Sequence, residues 1–340
     1  MFDHILEEWF SGRAMWQLLA CLAASTYVLM RGADRLVEGA SELAARLGMP
    51  KVVVGATIVS LGTTCPEAAV SVMAACKGNP GLALGNAVGS IIADTGLIFG
   101  VGCLMMRLPV DRFILNRQGW VQFGSGLLLA GLCYAAYWKA GADAVLGRSV
   151  GVLLLGLLAA YLFVSVRWAR GHGASDLGLG EASDETPSRG LGALLLVLLG
   201  GLFLVLVSSH VLIASVKEFA LQMNVSDVVV SGTIVAFGTS LPELVVGITA
   251  VRRNHPGLLI GNVVGADVLN VLFVVGASAT AAPLPIPEIF LKVHLPAMLV
   301  VLVLFRIYIA AACRKGHFER WWGAPLVLAW AAFSAICYLL

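Results

Sequence analysis

The sequence predicts an all-α integral membrane protein, and three observations carry that prediction. Of its 340 residues, 59% are hydrophobic and only 12% are charged, where soluble domains carry roughly a quarter charged residues. Several apolar runs reach the roughly 20 residues that a helix needs to cross a bilayer. Finally, Val54–Gly102 and Val230–Ser278 repeat one another at an offset of 176 residues, with 18 identities in 49 ungapped positions. Each copy places one glutamate, Glu67 or Glu243, in an apolar stretch. A carboxylate at membrane depth is costly, and two in equivalent places call for a functional explanation.

Apolar length places ten transmembrane helices at about 14–45, 52–74, 81–105, 119–138, 148–167, 190–222, 228–250, 257–281, 291–312 and 321–340. The first and sixth are long, as tilted helices are. The N-terminal MFDHILEEWFSGR lacks a basic n-region and a cleavage site, so the first span is expected to stay in the mature protein. Residues 168–190 are rich in Gly, Ser, Asp and Glu and read as a linker between a first repeat, 1–167, and a second, 191–340. Five spans on each side of the linker make the second half enter the membrane from the opposite face. The expected architecture is therefore two inverted five-helix repeats, as in secondary transporters. Of the 22 Lys and Arg residues, 16 fall on the linker's side of the membrane. Positive charge favours the cytoplasm, so the linker is placed inside and both termini outside, in the plasma (cell inner) membrane. No basic run suggests nucleic acid. The seven cysteines are scattered singly, without a CxxC pair, and read as small hydrophobes.

The chemistry lies in two blocks of each repeat. Gly62-Thr63-Thr64-Cys65-Pro66-Glu67 is mirrored by Gly238-Thr239-Ser240-Leu241-Pro242-Glu243. Proline frees the carbonyl four residues back, at Gly62 and Gly238, so helices 2 and 7 are expected to be discontinuous there and to expose carbonyls to a cavity. Thr64 and Ser240 add hydroxyls, and the glutamate follows within a turn. Such oxygens suit hard cations, Ca²⁺ or Na⁺. The second block puts Asn86, Ser90 and Asp94, and in the mirror Asn262, Ala266 and Asn270, four apart on one helix face. For Asn86 and Asn262, interhelical hydrogen bonds to backbone are as good a reading as ion ligation. For Asp94, ligation is the better one.

These blocks closely resemble the alpha repeats of the sodium/calcium exchanger family, the cation/calcium antiporters. The resemblance covers about 100 residues directly and, through the five-plus-five layout, nearly the whole chain. It implies four cation sites between the repeats. By position, the ligands would be Thr63, Thr64, Glu67, Ser90 and Asp94 with Thr239, Ser240, Glu243 and Asn270, and backbone oxygens at Ser60 and Ala236. Three departures stand out. Asp94 and Asn270 exchange the family's usual Asn and Asp. Ala266 replaces a hydroxyl often found on a sodium ligand. Asp267, three residues before Asn270, adds a fourth carboxylate that could face the same cavity. The large cytoplasmic regulatory domain of animal exchangers has no room in the linker.

The expected function is therefore exchange of Ca²⁺ for Na⁺ by alternating access, with spans one and six sliding over a rigid core, and with no cofactor. The partners are the lipid bilayer and inorganic cations. Ala266 and Asp267 favour a rival on the same fold, a Ca²⁺/H⁺ antiporter or a Na⁺-coupled exchanger of another divalent metal. An intramembrane aspartyl protease built on Asp94 and Asp267 explains neither the doubled proline–glutamate block nor the opposed halves, and the latter also weigh against a channel. His210, in the sixth span, reads as a structural histidine before a proton carrier. The charged end of the first span, Arg31 to Arg46, reads as a solvated helix end before a gate.

Overall fold

The computed structural model describes residues 6, 8–78, 80–171, 189–223 and 240–339. Helix α1 is Met15–Leu47, ended by Gly48 in the left-handed conformation, whose N–H bonds Ala44 and Ala45 carbonyls. Helix α2 is Lys51–Cys76 and α3 runs from Pro80 to Met105. The short strand β1, Leu108–Pro109, leads to α4, Arg112–Ala140, capped by the Asp111 side chain on the Phe113 and Ile114 amides. Strand β2, Val145–Leu146, precedes α5, Arg148–Gly171. Beyond the linker come α6, Leu191–Gln222; α7, Leu241–Arg252; and α8, Pro256–Ala281. Strand β3, Leu284–Pro285, leads to α9, Phe290–Lys315, and β4, His317–Phe318, to α10, Gly323–Leu339.

Seven of these, α2 to α6, α8 and α9, are long and apolar enough to cross a membrane. The sequence had suggested ten. Helix α1 falls outside the seven although it is 33 residues long, because its second half carries Arg31, Asp34, Arg35, Glu38, Glu42 and Arg46. The described part of α7 is 12 residues, and α10 has 17. Large apolar side chains stand exposed along α5 and α6, Leu196 at 74% and Phe203 at 65%, where acyl chains would cover them.

The two halves interlock. Helix α1 packs along α6, and α2 lies against α8. Helix α5 covers the end of α8 as α10 covers α3, and α4 packs on α9. Strand β1 pairs antiparallel with β4 and β2 with β3, so each half closes the other's loops. Phe99 of α3 packs edge-on against Phe305 of α9 and Phe318 of β4, with centroids 4.5 and 4.9 Å away. Close approach depends on glycine where α2 meets α8. A Cβ on Gly261 would stand 2.1 Å from the Val52 oxygen, and one on Gly265 2.4 Å from that of Ala56.

Candidate cation site

That close contact brings the repeated motif together. In α2, Pro66 lies inside the helical stretch Ser60–Cys76, so the break expected at this proline does not occur. The ladder is widened two to three turns upstream, where Gly55–Val59 is π-helical. On the second copy, α7 starts at Leu241 with Pro242 in its first turn, where proline is tolerated because that N–H would be unpaired anyway. The Ala236 and Thr239 assignments lie outside the described residues.

Two further π turns hold the second blocks. Asp94 lies in the π segment Ala93–Ile98 of α3, and Asn270 opens the segment Asn270–Val275 of α8. Such bulges recur at functional sites because they turn side chains off the regular helix face. Asn270 Nδ2 donates to Asp94 Oδ2 at 3.4 Å, so the two residues related by the 176-residue offset meet. Ser240 Oγ donates to Ser90 Oγ at 3.3 Å. The single Thr63 Oγ1 proton has three acceptors in reach, Asn262 Oδ1 at 3.4 Å and the Val59 and Ser60 carbonyls at 3.3 Å. Asn86 Nδ2 donates to Ser71 Oγ at 3.0 Å and to the Glu67 carbonyl at 3.5 Å, contacts of the interhelical kind that was one of its two readings.

Thr63, Thr64, Glu67, Ser90, Asp94, Ser240, Glu243, Asn262, Asp267 and Asn270 are all buried, none more than 3% exposed. The four carboxylates act on one another electrostatically: Asp94 on Glu67, Glu67 on Glu243, and both Glu243 and Asp267 on Asp94. Their burial is only half compensated. Glu67 Oε2, Asp94 Oδ1, Glu243 Oε2, Asp267 Oδ1, Asn270 Oδ1 and Thr64 Oγ1 have no hydrogen-bond partner among the described residues. An unpaired buried polar atom costs about 1–3 kcal/mol, and more when charged. Six such oxygens in one region form a surface that a cation would satisfy. No three of the His, Cys, Asp and Glu among the described residues converge enough to hold a metal alone, so an ion here would draw on hydroxyls and amides too.

Two participants escaped sequence reasoning. Thr95 Oγ1 and Gln122 Nε2 both donate to Asp267 Oδ2. Gln122, with Gln118 four residues earlier and Ser125 three later, marks a polar face on apolar α4. Amides in a membrane span were the available signal.

Comparison with known proteins decides what such an arrangement belongs to. The family described as sodium/calcium exchanger protein matches residues 17–167 and again 193–339. The chain belongs to this family. An uncharacterized membrane protein of Methanocaldococcus jannaschii is 30% identical over 303 residues, 87% of this chain and 90% of that one. The sodium/calcium exchanger MaX1 of Methanosarcina acetivorans is 27% identical over 336 residues, 91% of this chain and 95% of that one. Among solved structures, the sodium-calcium exchanger NCX_Mj soaked with Na⁺ and Sr²⁺ superposes with a TM-score of 0.79 at 26% identity, covering 95% of this chain and 99% of that one. The protein is thus a multi-pass membrane antiporter of the cation/calcium class, and family membership favours transport over the protease reading.

Proposed function

We propose that the protein exchanges Ca²⁺ for Na⁺ across the plasma membrane by alternating access. The observation that carries this is the set of buried oxygens on Thr64, Glu67, Asp94, Glu243 and Asn270 that have no hydrogen-bond partner among the described residues. The ligands are Thr63, Thr64, Glu67, Ser90 and Asp94 with Thr239, Ser240, Glu243 and Asn270, and backbone oxygens at Ser60 and Ala236 complete the shell. One Ca²⁺ with a proton, or up to three Na⁺, balances Glu67, Glu243 and Asp94. Both loads together leave excess positive charge in a low-dielectric site, so they compete and exchange.

The chain spans the membrane ten times, as inverted repeats 1–167 and 191–340 joined by a cytoplasmic linker, 168–190, with both termini outside. The exchanged pairing of β1 with β4 and β2 with β3 supports this reading. Helices α1 and α6 slide together over the core. Gly32, Gly39 and Gly201 bring their backbones close, and Gln222 Nε2 bonds the Arg13 carbonyl at 2.9 Å.

The test is ⁴⁵Ca²⁺ uptake into proteoliposomes driven by an outward Na⁺ gradient. Wild-type protein takes up Ca²⁺, and Glu67→Gln and Glu243→Gln do not. Uptake retained in both variants would sink the proposal. Ala266, which offers no hydroxyl, favours H⁺ as the counter-ion instead. Uptake driven by a pH gradient without Na⁺ selects that reading.

A further inference from the structure

We propose that Asp267, Thr95 and Gln122 form a Na⁺-binding position on one side of the core, additional to the mirrored ligand set. Three helices supply them: α3 Thr95, α4 Gln122 and α8 Asp267, respectively 0%, 2% and 1% exposed. They form a closed triad, because Gln122 Nε2 also donates to Thr95 Oγ1, at 3.2 Å, while both donate to Asp267 Oδ2. Asp267 Oδ1, equally buried, has no partner among the described residues.

The 176-residue register gives this triad a built-in control. The register holds into α4 and α9, since each follows a Leu-Pro strand at that spacing, β1 and β3. The positions matching Asp267, Thr95 and Gln122 are Ile91, Val271 and Met298. All three are fully buried at 0% exposure. The same corner of the fold is therefore packed with three apolar side chains in one half and three polar ones in the other. Packing does not need the polar set, and burying a carboxylate whose Oδ1 has no partner among the described residues costs free energy unless a cation is bound there.

The donor types select the ligand. A carboxylate, a hydroxyl and a carboxamide offer hard oxygens, the preference of alkali and alkaline-earth cations. Half a turn about its last bond puts the Gln122 Oε1 where its Nε2 now lies. One added carboxylate matches one added positive charge, hence a monovalent ion. A proton would need the carboxylate alone and gives no reason for three convergent oxygen carriers. The proposal rests on the exchanger reading for its transport consequence but not for its test.

That test counts Na⁺ directly. Equilibrium binding of ²²Na⁺ to detergent-purified protein, at fixed pH, is compared among wild type, Asp267→Asn and Gln122→Met, the last carrying its mirror residue. Asp267→Asn should bind one Na⁺ fewer per chain at saturation. Gln122→Met should weaken one class of Na⁺ by about tenfold or more. Unchanged stoichiometry and affinity in both variants overturn the proposal, even if their response to pH differs. If Asp267→Asn does not fold, the Gln122→Met isotherm decides. Loss of one Na⁺ in a protein that shows no Na⁺-driven Ca²⁺ flux sustains the site and rejects the exchanger reading instead.

Discussion

Gly261→Ala tests the idea that ligand geometry depends on backbone contact between α2 and α8. The added Cβ would lie 2.1 Å from the Val52 oxygen, 2.8 Å from the Val52 carbonyl carbon and 2.9 Å from the Ala56 nitrogen. Carbon and carbonyl oxygen settle at about 3.3 Å, so the helices must part by about 1 Å. Every obstructing atom is backbone, and no rotamer change relieves it. Overpacking of this kind costs about 1–3 kcal/mol, and the better helix propensity of alanine returns about 1 kcal/mol. With the cost at its upper end, the net loss is about 2 kcal/mol. The effect on transport should be larger than that on stability. The neighbouring Asn262 accepts from Thr63 at 3.4 Å, already near the limit for a hydrogen bond, and a 1 Å separation removes it. A 1 Å misplacement of positioned groups can lower a rate about 100-fold. Initial rates of counter-ion-driven Ca²⁺ uptake and thermal melting in detergent read both effects. Gly131→Ala, exposed on α4 with nothing within 4 Å of the added carbon, is the control, and should melt no lower than wild type. Wild-type melting and flux in Gly261→Ala would refute the reasoning.

Other perturbations follow from single contacts. Arg253→Ala removes the 2.9 Å pair with Asp34 that ties the end of α7 to α1. Both side chains are partly exposed, so melting should change by less than about 1 kcal/mol, and a larger loss would show that this pair is better shielded than it looks. Asn86→Leu deletes the bonds to Ser71 and the Glu67 carbonyl and should lower both melting temperature and apparent Ca²⁺ affinity. An affinity equal to wild type would separate Asn86 from the site. Glu319, beyond α9, accepts from Lys315 and His317 and pairs with Arg107. Hydrogen bonding from Lys315 foremost holds its carboxyl below the ordinary value of 4.5. Its contribution is therefore complete above pH 4.5 and is lost as pH falls through the lower folded value. Melting measured between pH 6 and pH 3 should decline less steeply in Glu319→Gln than in wild type, and parallel curves would contradict this.

Much of the site was legible because its residues follow two regularities at once. Glu67 and Glu243 stand out as charges in apolar surroundings. Asn86, Ser90 and Asp94 stand out as a period of four, and the 176-residue register then named Ser240, Asn262 and Asn270. The π turns were not legible. Gly55–Val59, Ala93–Ile98 and Asn270–Val275 share no residue pattern, since a ladder shift of one residue is settled by packing between helices. Proline misled at α2, where the helix runs unbroken through Pro66. Gln122 was missed because α4 lies outside the repeated blocks, so no mirror copy drew attention to it. Asp267 was visible as an extra carboxylate, but its partners come from α3 and α4, and only tertiary structure brings those together.

The exchanged strand pairs also bear on how the chain is made. Leu108 leaves the ribosome roughly 210 residues before its partner Phe318, about 10–40 s at ordinary synthesis rates. Through that interval the first half resides in the bilayer with its connections untied, and its apolar corner around Phe99 lacks Phe305 and Phe318. A chain stopped before His317 would leave β1 without the strand that closes it. Closure of the first half's β1 connection therefore waits on the C-terminal segment of the chain.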